Sequence, residues 1–273
     1  MHIKSGMSKI DVILTQSLIK EDLVLKDKNV VIIDVLRATS TMVVALSNGA
    51  KEIVPADNPT HAARIARGSG NSLTCGERNG KIIEGFILGN SPYEYSKEAI
   101  EGKSLIFSTT NGTVSILKSK LAKTCVLASF LNMTKIIDHI KSLCEDVILL
   151  CSGKLNNFCI EDSVYAGVVI NELQKSGAEW SINDSGFASL KLAKSLALSF
   201  GKPVQEKILD MYKLSEHGKY LLSIGFHKDL KLCSEVDSYP SLPVYYKSSL
   251  KLKEKIDIET TEKAHLKKIN LNI

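Results

Sequence analysis

Asp34, Arg37, Thr39, Ser40 and Thr41 follow directly on the apolar run Val30 to Ile33. A carboxylate, a guanidinium and three hydroxyls therefore stand where a buried strand stops. A guanidinium beside the free N–H groups of a helix start suits an anion, and the neighbouring carboxylate suits a divalent cation that the anion also touches. Phosphate with magnesium is the first pairing these residue types suggest.

Further polar loops repeat this chemistry. Cys75 to Gly80 and Glu84 to Pro92 supply Glu77 as a metal ligand, with Arg78, Asn90 and Ser91 as anion donors. Local structure also accounts for part of this set: Ser91 with Glu94 spells a capping box, and Asn79-Gly80 spells a left-handed turn. Thr109, Thr110, Asn111, Gly112 and Thr113 follow the apolar Leu105-Ile106-Phe107. Hydroxyls, an amide and a glycine there let side-chain and backbone donors converge on tetrahedral oxygens. The loop lacks the lysine and spacing of a P-loop, and no G-x-G-x-x-G occurs, so nucleotide binding is disfavoured. Ser152 to Ser163 carries Lys154 as a cation and Glu161 and Asp162 as carboxylates. Acids in a first helical turn also complement the helix dipole, by ~0.3–1 kcal/mol. Together with Asp34 and Glu77 they form an oxygen set that magnesium accepts, with waters and a phosphate oxygen completing an octahedron. His217, in Ser215 to Gly218, could donate to an anion or relay a proton, although on residue type alone a polar surface role is favoured over either. No Gly-x-Ser-x-Gly elbow exists, which speaks against an acyl-transfer triad.

These loops need a scaffold, and the pattern between them supplies one. Strand-like and helix-like stretches alternate: a helix over 39–47 closed by Gly49, then 52–56, 59–67, 72–75, 91–100, 104–108, 114–121, 124–129, 133–143, 146–151 and 161–175. Such alternation implies an α/β fold, layered α/β/α around a largely parallel or mixed sheet, with room for two similar α/β lobes sharing a site. The pattern then turns helical, over 185–200, 204–212 and 215–224, before a last strand near 243–246. The expected organisation is a first lobe over 1–145, a second, more helical lobe over 146–246, and a basic tail over 247–273.

Composition narrows the function classes. The 273 residues are 44% hydrophobic and 24% charged, ordinary globular material. Of the net charge of +5, a net +3 lies in 247–273, so the excess is local and the footprint for nucleic acid is weak. Six cysteines without zinc or C-x-x-C spacing read as packed thiols. The apolar runs are too short to cross a bilayer and no signal pattern opens the chain, so a cytoplasmic protein without membrane contact is expected. Homo-oligomerisation stays open.

The segments VIIDVLRATST, CGERNGKIIEGFILGNSP, FSTTNGT, CSGKLNNFCIEDSVYAG and SEHGKYLLSIGFHKDLKLC, in this order, resemble the ComB family of magnesium-dependent 2-phosphosulfolactate phosphatases. The likeness spans nearly the whole chain. It implies an α/β fold and hydrolysis of (2R)-2-phospho-3-sulfolactate to 3-sulfolactate and phosphate, a step toward coenzyme M or other sulfolactate-derived compounds. Asp34, Glu77, Glu161 and Asp162 match positions of the family pattern, as do Arg37, Asn90, Thr110, Asn111 and His217. Ile87 stands where relatives often carry Asp, Val114 where Arg commonly follows the TTNGT motif, and Lys154 where Arg is frequent. Losing a bidentate fork changes how an anion is gripped.

The chemistry expected is metal-assisted phosphoryl transfer to water, with Arg37 and the loop donors neutralising the phosphoryl oxygens and Glu161 or Asp162 orienting or deprotonating the water. Lys154 and Arg78 would meet the substrate's other anionic groups. Asp34 could instead attack phosphorus, but Leu36 occupies the position where a haloacid-dehalogenase site would place a second Asp. Two alternatives stay open: a phosphatase of another phosphorylated hydroxy acid, and a non-catalytic binder of small anionic metabolites.

Overall fold

Eleven strands form one sheet in the computed structural model, which describes residues 7–177, 179–198 and 203–270. In chain order the elements are β1 (Ser8–Ile13), β2 (Asn29–Ile33), α1 (Ala38–Ser47), β3 (Glu52–Pro55), α2 (Pro59–Arg67), β4 (Ser72–Arg78), β5 (Lys81–Ile82), α3 (Lys97–Ile100), β6 (Ser104–Ser108), α4 (Gly112–Lys118), β7 (Thr124–Ala128), α5 (Met133–Leu143), β8 (Val147–Cys151) and α6 (Ile160–Lys175). They continue with β9 (Trp180–Ile182), α7 (Asp184–Leu196), α8 (Val204–Leu214), α9 (Glu216–Ser223), α10 (His227–Cys233), β10 (Pro243–Tyr246), β11 (Ser249–Leu252) and α11 (Lys253–Asn270). Across the sheet the order is β5-β4-β6-β3-β11-β10-β7-β2-β8-β1-β9.

Two parallel groups make up most of this sheet, with β5 antiparallel to β4 at its edge. One contains β4, β6 and β3, and the other contains β7, β2, β8, β1 and β9. Between them lies the hairpin of β10 and β11, which pairs antiparallel to β7 on one side and to β3 on the other. Three antiparallel steps separate β3 from β7, so the two groups run in opposite senses. α1 starts at the end of β2 and packs against β7, β11, β3 and α4, spanning the junction. The step from residue 145 to 146 falls between α5 and β8, with β8 inside the five-stranded group and α5 packed in the core on one of its faces.

Alternation along β2 shows how both faces are covered. Val31 and Ile33 enter one core with residues of α5, α6 and α8, while Val30 and Ile32 enter another with residues of α1. Each such side chain, fully buried, contributes ~1.5–3 kcal/mol. The layered α/β/α architecture is thus present, with a mixed sheet.

Most boundaries agree with the sequence within a few residues, and three differences have clear causes. The 91–100 stretch is not one helix: a single turn at Pro92–Glu94 is followed by Tyr95, fully buried with its hydroxyl donating to the Gly89 carbonyl at 2.6 Å, before α3 begins. Tertiary burial of the tyrosine overrides local helix preference. β4 runs on to Arg78 because it folds back on β5 through Asn79 and Gly80, both at positive φ, as the Asn-Gly turn predicts. The basic segment 247–273 is not all tail, since β11 lies in mid-sheet with Leu250 fully buried. Its last three residues, and the end of the 185–200 helix at Phe200, lie outside the described residues. All six cysteines are free and only Cys144 is exposed. Among the described residues no helix is long and apolar enough to cross a membrane.

Candidate active site

The loop after β2 is folded by its own hydroxyls. Thr39 donates to the Asp34 carbonyl at 2.8 Å and accepts from the Asp34 N–H at 3.1 Å, while Ser40 donates to the Val35 carbonyl at 2.9 Å. Both side chains are fully buried and neither lines a cavity, so the anion contacts expected of Thr39 and Ser40 are replaced by loop-building ones. Asp34 Oδ1 accepts from the Ala38 N–H at 3.1 Å, which fixes the carboxylate at the start of α1. The Leu36–Arg37 peptide bond is cis.

The loop after β6 repeats the device. Thr113 donates to the Thr109 carbonyl at 3.0 Å and accepts from the Thr109 N–H at 3.1 Å. Thr113 is therefore internal, whereas Thr109, Thr110 and Asn111 face the cavity. The two loops meet: a Cβ on Gly112 would lie 2.5 Å from the Ala38 Cβ and 2.9 Å from Asp34 Oδ2. Only glycine admits that approach. Glu77 braces this loop, accepting from the Thr110 N–H and the Gly80 N–H at 2.8 Å each. Arg78 donates to the Ser108 carbonyl and hydroxyl, joining β4 to β6 outside the cavity, so it does not meet an anion there.

From the loop after β8 come the remaining carboxylates. Asp162 accepts from the Val35 N–H at 3.0 Å and the Gly153 N–H at 3.1 Å, and so ties the β2 and β8 loops together instead of facing a ligand. Glu161 is the opposite case. It is 1% exposed, neither oxygen has a hydrogen-bond partner, and the imidazole of His217 lies beside it, with Nδ1 3.3 Å from Oε1. Asn111 Oδ1 accepts from the Leu155 N–H at 3.1 Å, closing the β6 loop onto the β8 loop.

Helices α9 and α10 close the arrangement. α9 brings His217 and Tyr220 to the cavity, and Tyr220 donates to the Asn79 carbonyl at 2.9 Å. Lys154 Nζ meets Glu216 Oε1 at 2.9 Å and lies 5.5 Å from the Tyr220 ring centroid. Arg37, 2% exposed, pairs with Asp229 on α10 at 2.6 Å and donates to the Gly80 carbonyl at 2.7 Å, with its guanidinium 4.1 Å from the Phe226 ring centroid. Ser91 donates to the other Asp229 oxygen at 2.8 Å, which makes it a support for that pair and not a cavity residue.

The resulting cavity measures about 210 Å³ and is lined by Asp34, Arg37, Glu77, Asn90, Thr109 to Asn111, Lys154, His217 and Tyr220, with Leu36, Ala38, Asn79, Gly80 and Leu155. Asn90 Oδ1 and Thr110 Oγ1 are buried there without partners. A neighbouring cavity of about 220 Å³ shares Lys154, Leu155 and His217 and is lined by Glu161. The loops thus converge, but between oppositely directed groups of strands and not along one rim of a parallel sheet. Ile87 is exposed and Val114 half-buried, and neither lines these cavities.

Burial pushes the Asp34 carboxyl up to about 6; the Ala38 N–H and His217 oppose the rise, while Glu77 and Glu161 add to it. Burial and the charges of Asp34 and Glu161 hold Asp162 well above the usual carboxylate range. Arg37, Lys154 and His217 are the basic side chains among Asp34, Glu77, Glu161, Asp162, Glu216 and Asp229, and each already has a carboxylate partner: Asp229, Glu216 and Glu161 in turn. An added cation would offset this balance for a phosphorylated anion. Among the described residues no three His, Cys, Asp or Glu are gathered as a metal cage. Magnesium needs no cage, because it is commonly held by one or two carboxylates, waters and a substrate phosphate. Asp34 and the unpartnered Glu161 fit that demand; Glu77 and Asp162, which were also expected as ligands, spend their oxygens on backbone N–H groups.

Sequence reasoning did not single out Tyr220 and Asp229. Tyr220 stands three positions after His217 on α9, a spacing that puts both on one helical face. Asp229 carries no such signal, because its partner lies 192 residues away.

A family profile described as 2-phosphosulpholactate phosphatase matches residues 13–248. A probable 2-phosphosulfolactate phosphatase of Thermotoga petrophila is 37% identical over 227 residues, 83% of this chain and 93% of the relative. Proteins of the same name from Caldanaerobacter subterraneus subsp. tengcongensis and Clostridium acetobutylicum are 36% and 34% identical, over 80% and 87% of this chain and 88% and 97% of their own lengths.

Proposed function

The chain belongs to the 2-phosphosulpholactate phosphatase family, and from that membership we propose that it hydrolyses the phosphate ester of 2-phosphosulfolactate, releasing sulfolactate and inorganic phosphate, with Mg²⁺ as cofactor. The observation that carries this reading is the set of buried polar atoms without partners around one cavity system: both Glu161 oxygens, Asn90 Oδ1 and Thr110 Oγ1, beside Asp34. Such atoms normally find partners in a folded protein, so their place in the walls of the cavities marks where a ligand would supply them.

Asp34 and Glu161 would hold the ion, which when bound neutralises phosphoryl charge and offsets the acidic surroundings. Arg37 and the Thr109 to Asn111 loop grip phosphoryl oxygens as charge spreads over them in the transition state. Water attacks phosphorus, the bond from phosphorus to the C2 oxygen breaks, and that oxygen takes a proton. His217, against Glu161 and shared by both cavities, is placed to pass it. Lys154 meets a second anionic group of the substrate: its partner Glu216 has a side chain 91% exposed, so the pair is readily exchanged. A role in coenzyme M or other sulfolactate metabolism in the cytoplasm follows from that substrate as part of the same proposal.

The test is phosphate release from 2-phosphosulfolactate beside phospholactate and phosphoglycolate. Release from the sulfonated ester at least ~10-fold faster in kcat/KM, equivalent to about 1.4 kcal/mol, supports the reading. Preference for an ester without sulfonate replaces it with another phosphorylated hydroxy acid, and tight binding without release makes the protein a binder.

A further inference from the structure

We propose that Asp229 is a positioning residue for phosphoryl capture, fixing the direction in which Arg37 presents its remaining N–H donors to the cavity. The inference rests on the phosphatase reading for its kinetics but not for its binding test. Arg37 is held at three points drawn from separate parts of the chain: the Asp229 carboxylate at 2.6 Å, the Gly80 carbonyl at 2.7 Å and the face of Phe226 at 4.1 Å. Asp229 is itself held, its second oxygen accepting from Ser91 at 2.8 Å. Both partners of the pair are nearly sealed, with side chains 2% and 3% exposed, yet Arg37 lines the cavity.

A stability role accounts poorly for this arrangement. A buried ion pair commonly does no better for stability than apolar residues of the same volume, because desolvation offsets the attraction. Asp229 also neutralises much of the charge that would attract a phosphate. What the pair supplies is orientation: a guanidinium has five N–H donors in a rigid planar fork, and holding one donor of each Nη on protein fixes the plane and direction of those that remain. Ser91, expected as a substrate contact, acts one step further back by orienting Asp229.

Inorganic phosphate is the binding probe, titrated calorimetrically into the full chain with Mg²⁺, alongside kcat and KM for 2-phosphosulfolactate and a melting curve for each variant. Asp229→Asn is expected to weaken phosphate binding and lower kcat/KM by ~10–100-fold, the scale of a misplaced contact. Ser91→Ala, a milder change that leaves the ion pair, is expected to shift both in the same direction by ~3-fold. Because Asp229 acts through Arg37, the double variant Arg37→Ala with Asp229→Asn should match Arg37→Ala alone within ~2-fold. Losses that multiply in the double variant, or unchanged phosphate binding and turnover in Asp229→Asn, would overturn the inference. If the native protein binds phosphate in an Asp229-dependent way but does not turn over 2-phosphosulfolactate, the substrate assignment fails while the positioning role stands. If it turns over the ester and Asp229→Asn is silent, the reverse holds.

Discussion

Asp34 is where burial, charge and proposed chemistry meet. Its carboxyl is raised to about 6 from an ordinary 3.8, mainly by burial. The folded state therefore binds this proton more tightly than the unfolded chain. The associated stability is fully present below the unfolded value and is lost as pH rises through about 6. Asp34→Asn escapes that loss, so its melting temperature should exceed that of the native protein by several degrees at pH 8 and by little near pH 4. Calorimetry across that range checks it, and a gap independent of pH would contradict the burial account. The same variant should lose ~10³-fold or more in kcat/KM. At this scale the sequence was legible where a motif is contiguous: Asp34, Arg37, Thr110, Asn111 and Lys154 all line the cavity. It was misleading where hydroxyls have a cheaper partner in their own backbone, as for Thr39, Ser40 and Thr113.

Elements position these residues by touching at points that tolerate little change. Gly112→Ala would place a methyl 2.5 Å from the Ala38 Cβ, forcing the β2 and β6 loops apart. The expected result is a fall of ~10–100-fold in kcat/KM with a melting temperature lowered by only a few degrees, read from kinetics and calorimetry together. Tyr220→Phe removes the bond to the Asn79 carbonyl that docks α9 on the β4–β5 turn. A loss of ~0.5–1.5 kcal/mol of stability is expected, with KM raised severalfold as the helix bearing His217 loosens; unchanged KM would separate α9 from substrate binding. Strong periodicity and turn residues made α2, α5, β6 and β10 readable to the residue. β1 went unread although Ile10 and Val12 alternate inward, because Lys9 and Asp11 on its other face dilute the apolar signal.

The molecule as a whole depends on the β10–β11 hairpin, which joins two oppositely directed parallel groups into one sheet. Leu250, fully buried at that seam opposite Ile53, is a test of it: Leu250→Ala should cost about 2–5 kcal/mol and still unfold in one transition if the seam is part of a single cooperative unit. Two separate transitions would show that the groups are energetically independent. α/β architecture was legible from alternation of elements, but the seam was not. Leu250 and Leu252 sit among lysines in a segment whose charge reads as tail, and which distant strands pair is decided by tertiary contact alone.

Charge balance across the assembled site leads to the most direct measurement. Six carboxylates around or behind the cavity, Glu216 included, stand beside three basic side chains, so an anionic phosphate ester should be turned over only with a divalent cation present. Phosphate release from 2-phosphosulfolactate should be restored by Mg²⁺ after exhaustive chelation, and abolished in Asp34→Ala and Glu161→Gln at any Mg²⁺ concentration. Full turnover in the chelated protein, or activity retained in both variants, would contradict the account.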